Sequence, residues 1–434
     1  MSNATPPAGA PPPVTRSGAR SGARSGARSG ARSGAPVGAR AGTGDSAIRP
    51  FRLDVPQAAL DDLKERLART RWPDEPAELD WSYGPPLAYL RALAAYWRDG
   101  YDWRAQEARL NAYPQFTTEI DGAGVHFLHV RSPEPGALPL ILTHGWPGSV
   151  VEFLDVIGPL TDPRADGGDP ADAFHVVAPT IPGFTLSGPT RELGWDVPRV
   201  ARAWATLMAR LGYGRYGAHG GDFGSAISRQ LGLTDGEHVA ALHLTQLLAA
   251  SADEATADPA VAAERRSVAA GRRYERELGA YGFLQAARPL TVAYLLTDSP
   301  TAQLAWIVER FKDWTDSETA PEDAVDRDAL LTNVTLYWLS GTAGSSARYY
   351  REGSATWGQA EAPSTVPTAV AVFPRDIAVP VRRLAAATNA IVRWTEFDRG
   401  GHFAAMEEPD LITADLRATF RPFRRPPPAA HGPT

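Results

Sequence analysis

Tyr216-Gly217-Ala218-His219-Gly220-Gly221-Asp222-Phe223-Gly224-Ser225 is the stretch that decides the fold. A short strand over Tyr216–His219 runs into paired glycines, one acid stands at the centre, and a helix begins at about Gly224. In such a strand-to-helix turn the central side chain projects from a strained junction, and only Gly or similarly small neighbours fit the close packing. Taken alone, the string also fits a helix-capping Asp after a glycine turn. Its partners elsewhere in the chain decide between the two.

Outward from this turn, apolar runs alternate with helical stretches. Leu138–Thr143 precedes a helix from about Val150, and Phe174–Ala178 precedes a helix over Val197–Leu211. Strand signals return at Thr368–Phe373 and Ala390–Phe397, before a last helix over Asp410–Phe420. This alternation predicts an α/β fold with a mostly parallel sheet and helices on both faces. An Asp121-Gly122 turn between Phe116–Ile120 and Val125–Val130 predicts an opening hairpin. From Ser251 to Ala362 the text is helical, with a Glu/Arg-rich segment at Ala263–Gly279 and an apolar one at Ala302–Phe311. Such a block, inserted before the last two strands, reads as a cap roofing an active site. Ahead of the hairpin, Leu60, Leu63 and Leu67 mark one amphipathic helix. An aromatic-rich helix follows in Asp80–Trp103, and together they predict an extension that docks on the main body. The expected divisions are a disordered tail at 1–47, an N-terminal meander extension at 48–114, core at 115–250, cap at 251–362, core at 363–424 and a disordered tail at 425–434.

Composition narrows the chemistry. The chain has 434 residues and a net charge of −6, and its first 47 residues carry six arginines against one acid, with Ser-Gly-Ala-Arg repeated from Ser17 to Arg32. That stretch cannot build a core. The body beyond it is therefore more acidic than the whole, which argues against nucleic acid as a partner. Only Lys64 and Lys312 among the 44 basic residues are lysines, a bias of base composition rather than of phosphate chemistry. With no cysteine, thiolate nucleophiles, disulfides and cysteine-ligated zinc are excluded. No apolar run is long enough for a membrane span and no secretory signal opens the chain, so a cytoplasmic location is expected. No cofactor and no metal are expected either.

Two further segments supply partners for Asp222. His144-Gly145-Trp146-Pro147-Gly148-Ser149 follows the strand Leu138–Thr143, where an α/β-hydrolase places its second oxyanion-hole donor, so the backbone N–H groups of Trp146 and Phe223 are expected to converge on one oxygen. Gly400-Gly401-His402-Phe403 follows the last strand, where this fold supplies its histidine. An acid must hold that imidazole, and Asp376, just after the preceding strand, is favoured over Glu396 and Asp398. His175 and His243, in apolar runs, read as packed core residues. A carboxylate nucleophile attacking an ester or amide would form a reactive anhydride, whereas attack on an sp³ carbon yields a stable alkyl ester, so the substrate narrows to a strained epoxide or an alkyl halide. Departing halide needs N–H donors, commonly from a Trp beside the nucleophile, and position 223 is Phe. An epoxide oxygen needs an acid such as a phenol, and the helical block offers Tyr274, Tyr281, Tyr294, Tyr337, Tyr349 and Tyr350.

Taken together and in order, these segments resemble the microsomal-type epoxide hydrolases from Ile48 to Pro422. The resemblance is carried by Ile48-Arg49-Pro50-Phe51 with Arg71-Trp72-Pro73, by the His144 and Gly220 segments, and by Leu331-Thr332-Asn333-Val334 through Tyr337-Trp338. Arg348-Tyr349-Tyr350-Arg351-Glu352 and Arg399 to Ala405 with Glu407-Glu408-Pro409 complete it. It implies an α/β-hydrolase fold, Asp222 as nucleophile, His402 as base, Asp376 as the relay acid, and Tyr281 and Tyr350 as donors to the oxirane oxygen. Asp376 replaces the Glu of mammalian members, and where those members have a membrane anchor this tail is polar and basic, so a soluble enzyme is expected. The implied partners are a small-molecule epoxide and water, with monomer or homodimer left open. A dehalogenase using the same triad and a noncatalytic ligand-binding protein on this fold are the alternatives.

Overall fold

The computed structural model describes residues 37–39, 42, 44, 46–255, 257–354 and 362–424. Most of the expected tails at 1–47 and 425–434 lie outside these residues. Of the described part, Val37 N–H donates to Leu339 O at 3.4 Å and Ala39 N–H to Leu186 O at 2.7 Å.

Among the described residues one sheet of nine strands forms the centre of the fold. Its members are β1 (Arg49–Phe51), β2 (Gln115–Ile120), β3 (Ala123–Val130), β4 (Leu138–Thr143), β5 (Phe174–Pro179), β6 (Tyr216–Gly220), β7 (Val239–Leu244), β8 (Ser364–Val372) and β9 (Asn389–Glu396), in the spatial order β1-β2-β3-β5-β4-β6-β7-β8-β9. β1, β2, β3 and β5 pair antiparallel, while β5, β4, β6, β7, β8 and β9 pair parallel. The central parallel strands are buried on both faces, as helices on either side require, while the edge strand β9 is largely half-buried. β4 and β6, for example, place Leu140, Ile141, Leu142, Tyr216 and Ala218 wholly out of solvent.

Two elements depart from the sequence reading. β7 lies between the helix expected from about Gly224 and the helical block from Ser251, where the sequence reading assigns no strand, because an unbroken apolar run in a central strand has no period of two to betray it. β1 belongs to the extension, yet it pairs with β2 and forms the edge of the sheet.

The helices are α1 (Gln57–Ala68), α2 (Leu87–Asp99) and α3 (Trp103–Asn111) in the extension, then α4 (Leu154–Thr161), α5 (Val197–Arg210) and α6 (Phe223–Thr234) between strands. The block between β7 and β8 carries α7 (Ala262–Arg273), a π-helical turn at Tyr274–Leu278, α8 (Ala280–Ala287), α9 (Pro289–Asp298), α10 (Pro300–Trp314), α11 (Arg327–Ser340) and α12 (Ala343–Gly353). After it come α13 (Arg382–Thr388), α14 (Ala404–Glu407) and α15 (Pro409–Phe420). The extension docks largely on the cap. Trp97 Nε1 donates to Thr335 Oγ1 at 2.9 Å, the Tyr101 and Thr332 hydroxyls meet at 2.9 Å, and the Tyr96 hydroxyl donates to Asp328 at 2.8 Å, all on α11. Leu90, Leu93, Ala94 and Trp97 give α2 one buried face, as their spacing of three and four requires. Among the described residues no helix is long and apolar enough to cross a membrane.

Candidate active site

The four loops that leave the C-terminal ends of β4, β6, β8 and β9 converge, where ligands bind in parallel α/β sheets. They deliver Trp146, Asp222, Asp376 and His402.

Asp222 sits between β6 and α6 with φ 51° and ψ −127°. A non-glycine residue held there costs about 1–3 kcal/mol and persists only where its surroundings over-determine it. Here close packing does so: a Cβ on Gly220 would run into the backbone of Gly224, and one on Gly224 into the carbonyl of Thr143. The carboxylate makes no cap bond to α6. Its Oδ1 instead accepts the Trp146 N–H at 2.8 Å, which sets aside the helix-capping reading. Phe223 is the first residue of α6, so its N–H lies at the positive end of that helix.

His402 lies on the other side of Asp222. Its Nδ1 is 2.7 Å from Asp376 Oδ1, with both side chains 2% exposed. Asp376 Oδ1 also accepts the Ile377 N–H at 2.7 Å. The shorter acid therefore reaches the imidazole, while Asp398 is exposed and Glu396 pairs with Arg266 at 2.9 Å. His402 Nε2 stands 3.5 Å from Asp222 Oδ2. That is ionic attraction at a length beyond a normal hydrogen bond, and among the described residues Nε2 has no hydrogen-bond partner. Burial opposes a charge on His402, but Asp376 and then Asp222 outweigh it, and the pKa is pushed up to about 10.

Tyr281 on α8 and Tyr350 on α12 face this centre from the cap. Each is 4% exposed. The Tyr350 hydroxyl donates to the Tyr281 oxygen at 3.4 Å. Trp146, whose N–H holds Asp222, stacks its ring on Tyr281 at 5.1 Å and meets Tyr350 edge-on at 5.5 Å. Phe223 meets Tyr350 at 4.9 Å and Tyr349 at 4.7 Å. Burial first, and then other nearby groups including Asp222, push both phenols well above the usual tyrosine range, so they stay protonated at neutral pH. Helix α11 also grips the loop that carries Trp146: Asn333 Nδ2 donates to Pro147 O at 2.7 Å and the Tyr337 hydroxyl to Gly148 O at 2.8 Å.

Several neighbours carry no motif that singles them out. Trp314 closes α10, meets His402 edge-on at 4.8 Å, and its carbonyl accepts the His402 N–H at 2.8 Å. Asp316, two residues on, accepts from Arg375 Nε at 3.2 Å and from Gly400 N–H at 3.1 Å, and its own N–H donates to Glu407 at 2.8 Å. It thus ties the cap to both loops that carry Asp376 and His402. Glu152 has a buried Oε1 without a hydrogen-bond partner among the described residues, and burial pushes its pKa up to about 8 against the pull of His402. Its one sequence signal is a lone acid in the apolar run Val150-Val151-Glu152-Phe153. His243 is a packed residue, bonded through Nε2 to Asp415 at 2.9 Å, while His175 is only half-buried. Among the described residues no three His, Asp or Glu side chains gather as metal ligands.

The sheet, the strained acid after β6 and the histidine after β9 define an α/β hydrolase. Residues 139–409 match the family described as the alpha/beta hydrolase fold, and residues 48–153 match the family described as the epoxide hydrolase N terminus. A Stigmatella aurantiaca chain named as an epoxide hydrolase is 46% identical over 87% of this chain and 86% of its own. Epoxide hydrolase 1 of Oryctolagus cuniculus is 33% identical over 86% of this chain and 89% of its own. The solved structure of Aspergillus niger epoxide hydrolase has a TM-score of 0.79 at 32% identity, over 89% of this chain and 99% of that one. The chain belongs to the microsomal-type epoxide hydrolase family.

Proposed function

We propose that this enzyme converts an epoxide to a vicinal diol through an ester on Asp222. In the first step Asp222 Oδ2 attacks an oxirane carbon, the C–O bond breaks, and the departing oxygen takes a proton from Tyr281 or Tyr350. In the second, His402, held by Asp376, removes a proton from water as that water attacks the Asp222 acyl carbon. The backbone N–H groups of Trp146 and Phe223 hold the oxyanion that forms there. The diol leaves as the carboxylate is restored. The extension at 48–114, the core at 115–250 and 363–424 and the cap at 251–362 are proposed as the working divisions, with the cap supplying the phenols.

The observation that carries this reading is that Asp222 has a donor on one oxygen and the Asp376-held imidazole at 3.5 Å from the other. A serine-type hydrolase would need no acid there, and an alkyl ester is the stable product a carboxylate can form. Single turnover in ¹⁸O-water tests it. The label is expected in Asp222 first and in diol only in later turnovers; label appearing directly in the first diol rules the ester out. Halide release from alkyl halides, measured alongside, is expected to stay far below diol formation.

A further inference from the structure

The cap holds a third phenol that neither the motifs nor the proposed chemistry uses. The Tyr274 hydroxyl lies 3.2 Å from that of Tyr281, so Tyr350, Tyr281 and Tyr274 form a row of hydroxyls with Tyr281 at its centre. Tyr274 opens the π-helical turn Tyr274–Leu278, a backbone irregularity that recurs at functional sites. Two glycines make room for it. A Cβ on Gly279 would crowd the Tyr274 ring at 3.0 Å, and one on Gly282 would touch both the Tyr274 hydroxyl at 3.5 Å and the Tyr350 ring at 3.7 Å. Unlike its two neighbours, Tyr274 is only half-buried.

A second observation points to the same ring. Arg310 on α10 is 3% exposed, and its guanidinium lies 4.8 Å from the centre of the Tyr281 ring. Among the described residues its Nε has no hydrogen-bond partner, and it forms an ion pair with Glu309. A buried cation is costly to keep. Over Tyr281 it attracts the ring and favours negative charge on that phenol's oxygen.

We infer that Tyr274 is a positioning residue for the ring-opening step, donating to the Tyr281 oxygen as that oxygen gives up its proton. The inference rests on the reading of Tyr281 and Tyr350 as oxirane donors. In the structure Tyr350 donates to Tyr281. When an oxirane oxygen accepts hydrogen bonds from both, Tyr281 loses that donor, and the Tyr274 hydroxyl remains within reach. The balance is closed: the C–O electron pair becomes an O–H bond with the Tyr281 proton, Tyr281 becomes a phenolate, and the later hydrolysis of the Asp222 ester releases one proton, which restores it. Tyr274 stabilises the phenolate between those events, and Arg310 supplies the opposing charge.

The test is rapid mixing of the full-length enzyme with styrene oxide, following ester formation by the fluorescence of Trp146 and Trp314 and by mass. In Tyr274→Phe the ester is expected to form about tenfold more slowly, the worth of one hydrogen bond to a charged group. Its hydrolysis and the melting temperature should be unchanged. Equal rates of ester formation in variant and parent overturn the inference. So does a parallel fall in both steps, which marks a merely structural role. Tyr350→Phe separates the two levels of argument. Slow ester formation there with normal Tyr274→Phe sinks this inference alone, whereas normal ester formation in Tyr350→Phe sinks the donor reading with it.

Discussion

The two sides of Asp222 are built differently. On the core side, His402 and Asp376 meet at 2.7 Å, each on a loop fixed by backbone hydrogen bonds. On the cap side the phenols meet at 3.2 and 3.4 Å and are located by ring packing against Trp146 and Phe223. A short contact between an acid and an imidazole suits a place that holds charge before the reaction begins. Longer contacts between neutral hydroxyls suit one where charge appears only as a bond breaks. The core side is thus fitted to ester hydrolysis and the cap side to ring opening, so damage to one should separate the two steps.

The strongest separation comes from His402→Gln. Without the base, Asp222 still opens the ring, but the ester has no general-base route to water. Turnover is expected to fall on the order of a thousandfold, with the protein accumulating as a covalent adduct whose mass equals enzyme plus epoxide. If no adduct accumulates while turnover is lost, the division of labour between the two sides fails.

Asp316→Ala probes the seam between them. Asp316 belongs to the cap segment, yet its carboxylate holds Arg375 and Gly400, neighbours of Asp376 and His402 in sequence. Releasing both loops should misplace the imidazole and slow ester hydrolysis by about tenfold, since small displacements of a reacting group carry large rate costs. Ester formation should change little. A variant that slows ring opening instead would show that the seam serves the phenols.

The two sides also differ in how legible they are in the amino-acid sequence. The core side is legible because its residues sit at fixed places in chain order: an acid flanked by Gly220, Gly221 and Gly224, a histidine after the last strand, an acid after the one preceding it. Each position follows from strand order and turn sterics. The cap side is not legible in this way. Only family resemblance singles out Tyr281 and Tyr350, since the helical block offers six tyrosines with nothing in spacing to rank them. Arg310 and Asp316 meet residues distant in sequence, Tyr281 in one case and Arg375 and Gly400 in the other, while Tyr274, though close to Tyr281 in sequence, stands in a π-helical turn that no local pattern records. β7 escapes sequence reading for a related reason: a strand buried on both faces carries no alternation.

The smallest effect concerns charge rather than rate. In the resting enzyme His402 is pushed up to about 10 by Asp376 and Asp222 acting against burial, so at neutral pH it is protonated and cannot serve as a base. Esterification makes Asp222 neutral and removes one of the two supports. The pKa must then fall, because burial keeps working against the charged form while the attraction on the Nε2 side is gone. In the proposed mechanism, ring opening therefore switches on the base that the next step needs. The Asp222→Asn variant mimics the neutral ester without the chemistry. Its His402 imidazole, followed by NMR, is expected to titrate below that of the parent, and the rate of ester hydrolysis in the parent should rise with pH as His402 gives up its proton. An unchanged titration in Asp222→Asn would mean that Asp376 alone sets the charge, and that the core side is ready before the cap side has acted.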